Sequence, residues 1–240
     1  MQPPEKPGLT LTRAGIVEGM KLAIPILPGI CFFGMAYGAA AAQTHMSLLE
    51  ATLSSWLVFA GASQLVALEL WRENWTFTAI LGLALIVGTV NSRLILMGAS
   101  LHQWLGQLPA IKLWPSLFFL TDANWIISER YRAQGGHDAG IYLGSGLLLW
   151  VVWGAVTVPG YLISSLVPDP KLFGLDLVMP LFFILMLVPM WKSRADLVPW
   201  CVAGAVASLV WMIVPGYAFI VTGAVAGALT GAFLPERADV

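Results

Sequence analysis

The sequence predicts an all-α, polytopic integral membrane protein. Three observations carry that class. The chain is 58% hydrophobic and 10% charged, its mean hydropathy is +0.81, and long apolar stretches recur from one end to the other. A soluble domain carries about 25% charged residues. One transmembrane domain is expected over 20–234, between cytoplasmic tails at 1–19 and 235–240. The first residues are polar and proline-rich, without the apolar core of a cleavable signal peptide, so the first helix reads as an uncleaved anchor.

Eight apolar stretches follow in order, at 20–43, 49–71, 76–100, 113–131, 140–166, 175–191, 197–214 and 216–234. A span needs about 20 apolar residues. The fourth is short and polar at its centre, and the last two are parted only by Pro215-Gly216, so seven spans is the alternative to eight. Eight spans with the N-terminus inside place Lys6, Arg13, Lys21, Arg72, Arg130, Arg132, Lys192, Arg194 and Arg237 on the inner side. Lys112 and Lys171 fall outside, and Arg93 lies within the membrane. Nine against two, by the positive-inside rule, puts the N-terminus in the cytoplasm of a cell with a plasma or inner membrane.

Each element then offers its own chemistry. Helix 1 holds Pro25, Pro28, Gly29 and Gly34. Proline frees a carbonyl, which a membrane tolerates only where protein or water satisfies it, so this helix is either kinked for packing or broken around a substrate. Helix 2 carries Phe59-Ala60-Gly61-Ala62-Ser63-Gln64, three small residues and an amide that either line a path or bond a neighbouring helix. Helix 3 carries Asn91 and Arg93, and helix 4 carries Asp122 and Asn124. Ionisable groups at membrane depth cost roughly 2.5–3.5 kcal/mol on insertion scales and face a partner or a cavity. With adjacent helices antiparallel, Arg93 and Asp122 sit at matching depth, as a structural ion pair or as a site for a zwitterion.

Gly34-Met-Ala-Tyr-Gly38 and Gly223, Gly227 and Gly231 form small-residue faces, for internal packing or for docking a second subunit. Lys21-Leu-Ala-Ile-Pro25 resembles Asp176-Leu-Val-Met-Pro180, and Ala-Gly-Ala recurs at Ala60-Gly61-Ala62 and Ala203-Gly204-Ala205. That pattern suggests an inverted repeat of helices 1–3 and 6–8, as secondary transporters use. Glu69 and Glu129 lie towards the inner ends, where a solvated end residue is the plainer reading, and Asp176 suits a helix cap. Cys31 and Cys201 match no redox spacing, and His45, His102 and His137 match no metal-ligand spacing. The sequence holds no Walker-type loop, no HExxH and no basic stripe for nucleic acid, so neither a metal nor a cofactor is expected.

Phe59-Ala60-Gly61-Ala62-Ser63-Gln64, Asn91-Ser92-Arg93, Gly98-Ala99-Ser100-Leu101 and Leu120-Thr121-Asp122 together resemble the signatures of the AzlC/YgaZ family of branched-chain amino-acid permeases. The resemblance covers most of the chain, from the first helix to Gly174-Leu175-Asp176. Leu94 stands where that family usually has His, and Ala123 where an acidic residue is frequent, so proton coupling or substrate choice is where this member would differ from the family. The resemblance implies a permease domain exporting branched-chain amino acids such as valine, and methionine with them. It also implies a small AzlD-type membrane partner, and it carries Gly61, Ser63, Gln64, Asn91, Arg93 and Asp122 as site residues. Pro25, Gly29 and Asn124 join them on the reading of the residues. A pore-forming subunit of another small-solute transporter is the runner-up, and an intramembrane enzyme is disfavoured for want of a catalytic constellation.

Overall fold

A computed structural model describes residues 8–44, 46–71, 76–166, 184, 197–214 and 218–233. The sixth apolar stretch, with Asp176 and Pro180, lies outside them. In chain order the helices are α1 (Arg13–Ala23), α2 (Leu27–Ala41), α3 (Leu48–Leu57), α4 (Gly61–Leu70), α5 (Phe77–Leu105), α6 (Ala110–Ser116), α7 (Asp122–Ala133), α8 (Gly140–Ser165), α9 (Leu197–Ile213) and α10 (Ala218–Ala232). Short 3₁₀ turns at Ile24–Ile26 and Leu117–Phe119 extend α1 and α6. Contacts divide the chain into two compact units, Met1–Trp71 with Asn91–Val178, and Arg72–Val90 with Met179–Val240.

In the first unit, α1, the 3₁₀ turn and α2 form one apolar run, Arg13–Ala41, long enough to cross a bilayer. Pro25 and Pro28 each stand at the start of a helical segment, where a missing N–H costs least. Of the two readings of helix 1, a packing kink or a break around a substrate, the prolines mark only a local tightening. Beside this run lies α8, pointing the same way: Gly15 meets Asp138, Gly19 meets Ile141, Gly34 meets Val156 and Gly38 meets Thr157. A Cβ on Gly38 would press on the Thr157 carbonyl oxygen, so the Gly34–Gly38 face is consumed by internal packing.

The N-terminal segment fixes one end of this pair. Thr10 N donates to the His137 carbonyl at 2.8 Å, and Ala139 N to that of Thr10 at 2.8 Å. Asp138 accepts from Thr12 N at 3.1 Å and Gly140 N at 2.8 Å, and from the Thr12 hydroxyl. Leu9 N donates to Gln107 Oε1 at 3.3 Å, and Trp104 Nε1 to the Gly136 carbonyl at 3.1 Å. The ends of α5 and α7 and the starts of α1 and α8 thus share one face, called here the N-terminal face.

Two apolar stretches do not cross the unit. α6 enters from the N-terminal face alongside α8: Tyr142 donates to the Ser116 carbonyl at 3.0 Å, Gly146 abuts Phe119, and the Phe118 and Phe119 rings pack on Trp150. The chain then breaks at the extended residues Leu120 and Thr121, and α7 returns to the face it left. Against α5 it pairs Asp122 with Arg93, Glu129 with Ser100 and Tyr131 with Trp104, so α5 and α7 run parallel. The antiparallel packing expected of consecutive spans is replaced by a half-depth hairpin.

α3 enters from the opposite face, where Tyr161 donates to the Met46 carbonyl, and descends until Trp56 meets Trp150 and Gly154. Phe59 then adopts the left-handed conformation, with φ 46°, and α4 starts at Gly61. Gln64 reaches the Ser54 hydroxyl at 3.2 Å. In a continuous helix these two residues would be about 15 Å apart along the axis, so the chain doubles back. Both hairpins stop at the level of Trp150–Trp153, midway along α8.

In the second unit, α9 and α10 pack through Gly223 and Gly227 against Ala203, Ala207 and the Pro199 carbonyl. This small-residue face is likewise occupied within its own unit. Residues 77–90 of α5 belong to the same unit.

Candidate functional site

The hairpin tips converge. The Phe59 and Phe118 rings, one from each tip, lie 6.3 Å apart. The third helix, α5, ties both together: Asn91 Nδ2 donates to Ser63 Oγ at 3.1 Å, and Arg93 Nη2 meets Asp122 Oδ2 at 2.9 Å. Asp122 is the first residue of α7, not the centre of a span, and Ser63 lies in the first turn of α4. A helix N-terminus carries a partial positive charge, so the Asp122 carboxylate stands at the positive start of α7 beside the Arg93 guanidinium, while the start of α4 meets α5 at Asn91, two residues before Arg93.

On the α4 side the polar groups satisfy one another. Gln64 Oε1 accepts from Trp153 Nε1 at 3.1 Å and from Ala60 N at 3.3 Å. Its amide donates to Ser54 at 3.2 Å, whose hydroxyl also bonds Tyr37 at 2.5 Å. Ser55 bonds Thr157 at 2.8 Å, and Ser63 donates to the Ala60 carbonyl at 2.9 Å. Ser55, Ser63, Gln64 and Thr157 are all buried. Because Gln64 bonds the residue just before α4, its side chain fixes the turn. The bonds to neighbouring helices weighed for Gln64 are present. A Cβ on Gly61 would stand 2.7 Å from the Trp153 ring, so this glycine admits the indole that holds Gln64.

The α7 side is less complete. Arg93 and Asp122 keep 34% and 36% of their side chains exposed, so the pair is open to a third group. Arg93 Nε is buried and lacks a partner among the described residues, as does the amide nitrogen of fully buried Asn124. Thr121 and Asn124 form a capping box, with Thr121 N donating to Asn124 Oδ1 at 2.8 Å. Beyond the pair, Ser100 accepts from Trp125 Nε1 at 2.8 Å and donates to Glu129 Oε1 at 3.0 Å. Glu129 is held by Arg132 at 2.6 Å. A polar seam thus runs from Trp125, one turn after Asp122, towards the N-terminal face.

Of the residues the sequence singled out, Gly61, Ser63, Gln64, Asn91, Arg93, Asp122 and Asn124 gather at the two tips. Pro25 and Gly29 are exposed and do not join them. Ser100 entered the sequence reading only as part of the Gly98–Leu101 signature, with no role, and Tyr37 and Trp153 were missed, since they carry no spacing that distinguishes them from packing residues. Among the described residues no group of His, Cys, Asp or Glu is arranged to hold a metal.

The fold and this site define an all-helical membrane protein built around two interrupted helices. Residues 25–167 match the family model described as AzlC protein, more than half of the chain, and the chain belongs to that family. It is 28% identical over 172 residues to the branched-chain amino acid transport protein AzlC of Bacillus subtilis, covering 71% of this chain and 66% of that protein. Uncharacterized membrane proteins of Haemophilus influenzae and Archaeoglobus fulgidus are also similar. The first is 24% identical, covering 70% of this chain and 68% of its own. The second is 28% identical, covering 74% and 76%. No solved structure matches the chain.

Proposed function

We propose that this chain is a secondary transporter that exports branched-chain amino acids such as valine, and methionine with them, across the cytoplasmic membrane together with a small AzlD-type subunit. The observation that carries the reading is the partly exposed Arg93–Asp122 pair at the start of α7, with the start of α4 held beside it on α5 by Asn91. A planar guanidinium binds a carboxylate through two parallel hydrogen bonds, and positive helix ends beside it reinforce that preference. Asp122 then serves the ammonium or a coupling proton. Membership of the AzlC family and the name of its Bacillus subtilis relative support the substrate class. An ion gradient drives export on this reading, since the sequence carries no nucleotide-binding loop.

Six full crossings and two half-depth hairpins follow for the topology, counting 175–191 as the sequence reads it. Relative to eight crossings, Lys112 moves to the inner side and Arg72 to the outer. The inner count stays at nine against two, and both termini remain cytoplasmic. In cells fed a valine-containing dipeptide, expression of the chain with its partner should lower intracellular valine, and collapsing the proton gradient should remove the difference. Equal valine with and without the pair, at confirmed expression of both, would reject branched-chain export.

A further inference from the structure

Between α5 and the inward arm α6 lies a cleft of about 680 Å³. Leu105 and Leu120 form its buried floor, Ile95 and Trp114 its exposed rim, and Gly98 opens its wall. Its lining is apolar except for His102 near the N-terminal face. The inner end is placed with some economy: Leu94 directly follows Arg93, and Leu120 stands two residues before Asp122. Asn91 heads the same helical face as Leu94, Ile95, Gly98 and His102, since residues three, four, seven and eleven apart share a face. An apolar trough therefore runs along α5 from the level of the ion pair towards the N-terminal face.

We propose that this cleft receives the aliphatic side chain of the amino acid held at Arg93 and Asp122, and that Gly98 sets the largest side chain admitted. The inference rests on the transport reading and assigns it a specificity residue. The charged ends of an amino acid go to the ion pair, and the apolar remainder is left beside Leu94 and Leu120, where the trough begins. A hydrocarbon group gains about 25 cal/mol per Å² on leaving water for such a lining. Gly98 suits the control point because a Cβ built there meets only Leu120 Cδ2, at 3.6 Å. That is ordinary contact, so alanine fits without strain and larger side chains project into the cleft instead of into packed backbone.

The test is a size series at one position. In cells expressing the chain with its partner, Gly98→Ala, Gly98→Val and Gly98→Leu are compared for export of alanine, valine and leucine. Leucine export should fall first, by about tenfold or more relative to alanine in Gly98→Val, because one methylene in an apolar pocket is worth about 10–200-fold. Equal loss for all three substrates, or no loss, would overturn the assignment and leave the cleft to a lipid chain. A second measurement does not require flux. With Cys31 and Cys201 replaced, the thiol of Gly98→Cys should react with a maleimide and be protected by leucine more than by glycine. Protection without discrimination, or none, would also overturn it. A wild-type chain that exports no amino acid while leucine protects position 98 would sink the transport reading and leave the cleft as a binding site.

Discussion

At the scale of single residues, the Arg93–Asp122 pair is the most consequential contact. Removing one partner of a fully buried pair costs about 3–5 kcal/mol because the other charge is left uncompensated. This pair is about one-third exposed, so the loss should be smaller. Arg93→Leu and Asp122→Leu should each reduce folded yield or flux more than the double change does, and strict additivity in that double-mutant cycle would remove the coupling. Gln64 predicts a different signature. Because it bonds Ala60, Ser54 and Trp153 at once, Gln64→Ala should lower thermal stability in detergent by leaving those buried groups unpaired, about 1–3 kcal/mol. A change in substrate affinity at unaltered stability would show instead that the amide contacts substrate directly. Gly38→Ala is a third case, since its Cβ would press on the Thr157 carbonyl. Overpacking of that kind costs about 1–3 kcal/mol, read as a lower melting temperature.

At the scale of elements, the two hairpins were legible to different degrees. The second left traces. Its stretch is short and polar at the centre, and Thr121 and Asn124 stand at the spacing of a capping box, a signature of a helix start in mid-stretch. Read with that spacing, Asp122 becomes a first-turn residue, where a carboxylate is favoured by the helix dipole. The first hairpin left almost none. No proline marks Val58-Phe59-Ala60, and the left-handed phenylalanine is stabilised by tertiary contacts such as the Phe118 ring and by the Gln64 bonds across the turn, which periodicity does not encode. In helix 1 the sequence left a packing kink and a break both open, and Pro25 and Pro28 occupy segment starts where proline fits. Thr121→Ala should loosen the second tip, costing about 1 kcal/mol of local stability. Faster hydrogen exchange at the first turn of α7, with α8 unchanged, is the expected readout.

At the scale of the whole molecule, the stretches at 140–166, 197–214 and 216–234 agree with the observed helices within two residues, yet hydropathy cannot tell a crossing from a half-depth return. Cysteines introduced singly at Gln107 and Gly135, with Cys31 and Cys201 replaced, should both be labelled by an impermeant reagent from the cytoplasmic side. Labelling of position 107 from outside would restore the fourth crossing. The inverted repeat expected for helices 1–3 and 6–8 extends beyond the described residues. Within them a different one is visible: a long helix followed by a hairpin occurs twice in succession, α1–α2 with α3/α4 and α5 with α6/α7, the second inverted.

The clasp between Thr12 and Asp138 also bears on how the protein is made. Its partners are 126 residues apart, and at about 5–20 residues per second a ribosome needs roughly 6–25 seconds to pass from one to the other. Throughout that interval the glycine seam of α1 and α2 has been synthesised without the helix that fills it. A newly inserted first helix therefore waits in the translocon or in lipid, with its small-residue face open, until α8 emerges. Truncations ending before Gly140 should be degraded quickly, whereas those ending just past Ser165 should persist.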